Sequence, residues 1–387
     1  MVVRMSTVND PTADDFHIQV SSRDSNELAT ALAAWLPTVI ASQAPPVVTA
    51  AGASDANGMS SETIAVQASW PGDDLPDARW ILRMAPAAQD VPVFRQYRLD
   101  HQYEVMRLVG ELTDVPVPTV VALEPTGDIL GEPFFLMEEC AGVVPPDVLP
   151  YTCGGNWLAD APVEQQRALQ DATVRVIAGI HSVPAGTCEF LNETMPQGDS
   201  DLRRQFAWLV DWYEFAAGDI GRSGLIDRAI EWLESNFPED VAASESVVTW
   251  GDARIGNIMY EDFVPAAVLD WEMATRAPRE LDVAWGIALH RFFQFVTGVK
   301  GHHIACLDGN GLAGARVASR AGGAILDRKR AEATQFHAIA GCQRVGDLVQ
   351  DCIYDIFDIP VIEMRITGRD DLHQFRLYHA DPLNFLM

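Results

Sequence analysis

At 387 residues the chain is long enough for two lobes with separate cores, and its 48% hydrophobic content is that of a soluble globular protein. The formal net charge is −28, and the imbalance falls in residues 1–290, which hold 44 acidic against 16 basic residues. Such a surface repels phosphate backbones and anionic lipid, so no nucleic-acid or membrane partner is expected; it suits a cationic small molecule, and equally plain solubility. No run of 18 apolar residues occurs, and the apolar segment 28–40 is interrupted by Pro37 and too short to span a bilayer. The amino terminus lacks the charged-then-apolar layout of a secretion signal, which leads to a cytoplasmic expectation. Six cysteines without CxxC or other metal spacing read as thiols in a reducing compartment, and the adjacent His302 and His303 have no second ligand cluster for zinc.

In chain order, residues 1–23 are polar and aperiodic, which predicts a flexible arm. Asp24 to Glu27 opens a helix with Leu28, Leu32, Trp35 and Leu36 near helical spacing, closed by Pro37. The small, polar run 51–63, in which Ser60 and Ser61 are the candidate contacts, leads into an apolar strand, 64–68. Backbone N–H groups of such a run can cover a phosphate, although Gly, Ser and Asn clusters also make plain turns. A turn at 73–77 precedes an alternating strand, 79–84, on which Arg79 and Arg83 point to one sheet face. Leu99, Tyr103, Met106 and Val109 mark the buried face of a helix with Glu104 at its edge. The stretch 131–142 reads as an apolar strand ending in Glu138, Glu139 and Cys140.

From about residue 145 the pattern is helical. Residues 164–182 form a long amphipathic helix in which His181 reads as a satisfied core histidine, and Phe206, Trp208, Leu209, Trp212, Tyr213 and Phe215 form an aromatic helix stripe expected to pack in a core, with a substrate pocket as the other reading. A helix starts near Pro278, with acidic residues suited to its N-terminal dipole. Beyond Thr297 the chain has no motif: six glycines fall between Gly301 and Gly323, and one helix is expected over 326–340.

Chemistry concentrates in Trp250-Gly251-Asp252-Ala253-Arg254-Ile255-Gly256-Asn257, followed by Val268-Leu269-Asp270-Trp271-Glu272. Ile258 to Tyr260 and Ala266 to Leu269 read as two strands around a turn at Glu261, Asp262 and Phe263, a hairpin that returns Asp270 to the neighbourhood of Asp252 and Asn257. A solvated loop with a structural Asp and Asn is the plain reading of Asp-x4-Asn alone. Phosphoryl transfer needs this trio together: one carboxylate to orient and deprotonate the attacking hydroxyl, and an amide oxygen with a second carboxylate to hold Mg²⁺ on the phosphates.

On these motifs the chain resembles the aminoglycoside phosphotransferase and choline kinase-like family, whose usual pattern is His-Gly-Asp-x4-Asn followed by Ile/Val-Leu/Ile-Asp-Trp-Glu/Gly. Trp250 stands where His is usual, a change that bears on loop packing more than on chemistry. The resemblance covers about residues 55–290 and implies an α+β, bilobal protein-kinase-like fold: a small antiparallel-sheet lobe over 24–140 that binds nucleotide, and a larger, mainly helical lobe over 141–387. It implies Asp252 as the catalytic base and Asn257 and Asp270 as metal ligands, with Glu272 as a supporting or second-metal carboxylate. It further implies Asp282 as a brace of the catalytic loop and the backbone of Glu138, Glu139 and Cys140 as the hinge that meets the adenine edge. The third strand of the fold usually carries a phosphate-binding Lys paired with a helix Glu. Here the only lysines are Lys300 and Lys329, so Arg83 takes that place, paired with Glu104. Arg brings a planar fork in place of a point charge, and a water-facing strand Arg or a solvated helix Glu are the other readings of these two residues. Leu-Arg at this point is also how the acyl-CoA-dehydrogenase-linked branch of the family reads. The implied activity is ATP- and Mg²⁺-dependent transfer of the γ-phosphoryl group to a hydroxyl of a small molecule, with a catalytically decayed nucleotide-binding regulatory module as the alternative.

Overall fold

Asp24 initiates the first helix as its side chain predicts: Oδ1 accepts from the backbone N–H groups of Asn26 (2.7 Å) and Glu27 (3.1 Å), capping α1 (Ser25–Trp35). The structure, a computed structural model, describes residues 23–42, 44–50, 60–87, 92–147 and 150–297. Outside the described residues lie positions 1–22 of the arm expected over 1–23, most of the small-residue run 51–63, Lys300, His302, His303, Lys329, three of the cysteines and the helix expected over 326–340. Arg23, read as the end of the arm, is anchored: it donates to Glu62 Oε1 (3.1 Å), Leu130 O (3.1 Å) and Ala85 O (3.4 Å). Among the described residues, Cys140, Cys153 and Cys188 form no disulfide.

Two compact units are present. Among the described residues, one comprises those up to Arg107 with Pro118–Glu139; the other comprises Leu108–Val117 and those from Cys140 to Thr297. The boundary at Glu139 and Cys140 falls at the end of the predicted hinge strand.

The first unit is a five-stranded antiparallel sheet in the order β1 (Val47–Ala50), β2 (Glu62–Ser69), β3 (Ala78–Met84), β5 (Phe134–Glu138), β4 (Val120–Glu124). Side-chain alternation turns one set from each of the three central strands into a common core: Ile64, Val66 and Ala68, then Trp80, Leu82 and Met84, then Phe134 and Leu136. Leu28, Leu32, Trp35 and Leu36 of α1 and its 3-10 extension cover that face. The residues between them face the other way. In register, Arg83 lies between Thr63 and Phe135 on this second face, and the Tyr103 ring of α2 (Leu99–Leu112) meets Phe135 at 6.1 Å.

The second unit is mainly helical, with α3 (Val163–Ile180), α4 (Asp201–Ile220), α5 (Gly224–Ser235), α6 (Glu239–Ala242) and α7 (Glu280–Thr297). Two small antiparallel pairs are set among them, β6 (Ser246–Thr249) with β9 (Thr275–Pro278) and β7 (Ile258–Glu261) with β8 (Val264–Val268). The β7–β8 turn is shorter than the sequence suggests: Asp262 (φ 47°) and Phe263 (φ 66°) form it alone, the left-handed pair of a type I′ hairpin. The aromatic stripe departs from its expected core role. Along α4 only Gln205 and Ala217 are buried, whereas Phe206, Trp208, Trp212, Tyr213 and Phe215 stay part-exposed and Trp208 stacks on Trp212 (5.9 Å, 20°).

Candidate functional site

The loop from β6 into β7 is held by a single buried carboxylate. Asp282, in the first turn of α7 and fully buried, accepts from the backbone N–H of Trp250 (2.9 Å), the backbone N–H of Gly251 (2.8 Å) and His181 Nε2 (2.8 Å). The core reading of His181 and the bracing reading of Asp282 thus describe one network. Gly251 is required on two counts: its φ is +89°, and a Cβ there would stand 2.1 Å from Met273 O. Asp282→Ala leaves two buried N–H groups and a part-buried imidazole without their acceptor, and a loss of about 3–5 kcal/mol is expected from such a truncation. Urea unfolding monitored by tryptophan fluorescence measures it; an unchanged midpoint would remove Asp282 from the brace.

Trp250 replaces the usual His by a different device. Its indole is fully buried against Trp271 (6.1 Å between centroids), and Nε1 donates to Leu269 O (2.9 Å) and Asp270 O (3.2 Å). The ring therefore ties the Asp252 loop to the Asp270 segment across the hairpin, and Leu269 N–H, donating to Asn257 O (2.8 Å), ties it again. Asp270 itself is left-handed (φ 61°), one of three described non-glycine residues with positive φ, and the other two form the hairpin turn. An aspartate held in a left-handed backbone conformation by main-chain contacts on its own segment is the pattern of a functional position.

Asp252 is half-buried with both oxygens engaged. Oδ2 accepts from Asn257 Nδ2 (2.7 Å) and Arg254 Nε (2.9 Å), and Oδ1 accepts from Trp285 Nε1 (2.6 Å). Arg254 also donates through Nη1 to Asp147, so one guanidinium bridges two carboxylates. Burial works against its charge, but Asp252 and Asp147 outweigh that and hold its pKa above the usual arginine value. Arg254, Asp147 and Trp285 were not singled out from the sequence. The first lies inside the motif and the third three residues after Asp282, but Asp147 carries no local signal.

The residues expected to hold metal fit a hard cation. Asn257 is buried and turns its amide nitrogen to Asp252, which directs Oδ1 away from it, while Asp270 and Glu272 are half-buried carboxylates on the segment bound to Asn257 O. Among the described residues no three His, Cys, Asp or Glu side chains converge, so a cation here would rest on this mixed oxygen set completed by phosphate or water oxygens, the way Mg²⁺ is usually held.

In the first unit the candidates part company. Arg83 is buried, 9% exposed, which removes the water-facing reading. Arg79 is exposed and forms an ion pair with Glu139 (2.5 and 3.0 Å), whose carboxylate raises its pKa. Glu104, expected to pair with Arg83, is bound within its own helix by Arg107, at 2.6 and 2.9 Å. A bidentate partner one turn away needs less ordering than one on another element. Ser60 and Ser61 are buried before β2, and Ser61 Oγ has no hydrogen-bond partner among the described residues. In the predicted hinge, Glu138 N–H donates to Thr119 O (2.9 Å) and Glu139 N–H to Arg79 O (3.2 Å), so those two amide groups are occupied within the sheet. The two strand arginines are separable by experiment. Arg79→Ala is expected to leave nucleotide kinetics unchanged, since an exposed ion pair contributes little. Arg83→Ala is expected to weaken ATP binding or lower kcat by roughly 2–3 kcal/mol, the range of a charge-assisted phosphate contact. The reverse result in steady-state ATP kinetics would mean that Arg79, not Arg83, meets the phosphates.

A family model described as "Phosphotransferase enzyme family" matches residues 55–301. Among curated proteins, the chain is 28% identical over 213 residues to "Acyl-CoA dehydrogenase family member 10" of Mus musculus and 27% identical over 212 residues to "Probable acyl-CoA dehydrogenase IBR3" of Arabidopsis thaliana. Each match covers 54% of this chain but only 18% and 24% of those much longer proteins. Among solved structures, a Ralstonia eutropha protein assigned as an aminoglycoside phosphotransferase superposes with a TM-score of 0.50 at 21% identity, over 84% of this chain and 97% of that one. That likeness establishes the fold: an antiparallel-sheet unit followed by a helical one, of the protein-kinase-like kind.

Proposed function

The chain belongs to the phosphotransferase enzyme family, and from that premise we propose that it transfers the γ-phosphoryl group of ATP, with Mg²⁺, to a hydroxyl of a small molecule. The observation that carries this reading is the joining of Asp252, Asn257 and Asp270 through two backbone ties, the Trp250 indole to Leu269 and Asp270, and Leu269 N–H to Asn257 O. In the reaction, Asp252 orients the acceptor O–H and takes its proton as the oxygen bonds to the γ-phosphorus and the bond to the β,γ-bridging oxygen breaks. Asn257 Oδ1 and Asp270 would hold the metal, with Glu272 beside them, and Arg83 would contact phosphate. When bound, Mg²⁺ supplies neutralisation of the charge that gathers on the phosphate oxygens. A nucleotide-binding module without turnover would have no need of a base at Asp252.

A second observation bears on the acceptor. The curated relatives carry acyl-CoA dehydrogenase names, which favours a hydroxyacyl thioester among the acceptors, although Arg254 is paired with both Asp252 and Asp147 and the three together keep a net negative charge that a cationic acceptor would also meet. The test is ADP release with Mg²⁺–ATP and a panel of hydroxyacyl-CoA thioesters, aminoglycosides, choline and sugars. Stimulation by one class identifies the acceptor. Nucleotide binding without turnover for any compound would favour the regulatory module.

A further inference from the structure

Asp252 receives a hydrogen bond that neither its loop nor the phosphoryl-transfer trio accounts for. Trp285 Nε1 donates to Oδ1 at 2.6 Å from α7, 33 residues along the chain. The indole is not a core ring: Trp285 is 39% exposed, whereas Trp250 and Trp271 at the same loop are buried. Helical spacing puts Trp285 one turn after Asp282, so the first turns of α7 grip the loop twice, at the backbone N–H groups of 250 and 251 and at the carboxylate of 252. The next residue, Gly286, lets the helix approach this closely, since a Cβ there would stand 3.0 Å from Ala253 O.

We propose that Trp285 is a positioning residue for the phosphotransferase reaction: its N–H occupies one side of Oδ1 and fixes the rotation of the Asp252 carboxylate, so that the remaining lone pairs face the acceptor hydroxyl. This rests on the reading of Asp252 as the base. The opposite oxygen is held by Asn257 and Arg254, and without Trp285 the carboxylate keeps that one anchor and can turn about it. Productive geometry for proton transfer is narrow, so a turned carboxylate slows the chemical step while leaving ATP binding alone.

A double-mutant cycle tests the proposal, with Trp285→Phe keeping the ring and removing the N–H. In the wild-type background Trp285→Phe is expected to lower kcat on the order of tenfold, the size of one hydrogen bond to a charged group, with KM for ATP unchanged. In the Asp252→Asn background the same change is expected to cost less than about twofold, because a residue acting only through Asp252 has nothing left to position. Equal losses in both backgrounds, or no loss in the wild type, would overturn the positioning role. Should Trp285→Phe fold poorly, seen as a lowered melting temperature, Trp285→Leu and Gly286→Ala are measured in the same cycle, and the same non-additivity is required. Near-wild-type activity of Asp252→Asn itself would instead refute the underlying assignment of the base.

Discussion

Asp252→Asn is expected to lower kcat on the order of 10²–10⁴-fold with nucleotide binding nearly intact, the usual consequence of removing a general base. The fold should survive. An asparagine oxygen can still accept from Asn257 and Arg254, and Arg254 keeps its second partner, Asp147. What is lost is the acceptor for the proton, and the amide nitrogen then confronts the Trp285 N–H, donor against donor, at a part-exposed position where water can intervene. Rapid-quench or steady-state phosphorylation of the acceptor measures kcat, and calorimetric ATP titration checks the binding. Turnover at near the wild-type rate would move the base elsewhere.

Asp270→Ala is expected to abolish Mg²⁺-dependent ATP binding, and to lower kcat on the order of a thousandfold as several kcal/mol of charge stabilisation goes with the metal. Backbone strain complicates the alanine. Asp270 has φ 61°, and alanine tolerates that region less well than aspartate or asparagine. Asp270→Asn is therefore the paired variant: it keeps the left-handed tolerance and most of the volume but loses the charge. Loss of Mg²⁺-dependent binding in both variants assigns the effect to the carboxylate. Retention in Asp270→Asn with loss only in Asp270→Ala would assign it to the loop conformation and remove Asp270 from the metal site.

The legible part of this protein is local. Asp24 as a cap, the helix of Leu28, Leu32 and Trp35, the alternation of 79–84 and the β7–β8 hairpin are written within a few residues of where they act, because helix and strand periodicity arise from neighbouring side chains. The edge strands β1 and β4 escaped sequence reading for a related reason. They are four and five residues long, β1 exposes every other side chain, and an edge strand is defined by its partner more than by its own pattern.

By itself the sequence determined the spacing of Asp252, Asn257 and Asp270, while Asp282 as a brace and Arg83 in the place of lysine entered as expectations from the family resemblance. Tertiary structure decided where each charge is placed. It buried Arg83, joined Arg79 to Glu139 and gave Glu104 to Arg107. It left the α4 aromatic stripe part-exposed, where helical spacing alone suggested a core. It also brought Trp285 and the Arg254–Asp147 pair to the Asp252 carboxylate. Asp147 lies 107 residues from Arg254, and Trp285 lies 33 from Asp252. The physical reason is that a charged or indole side chain can be satisfied by whichever partner folding brings within hydrogen-bond reach, and periodicity along the chain carries no information about that choice.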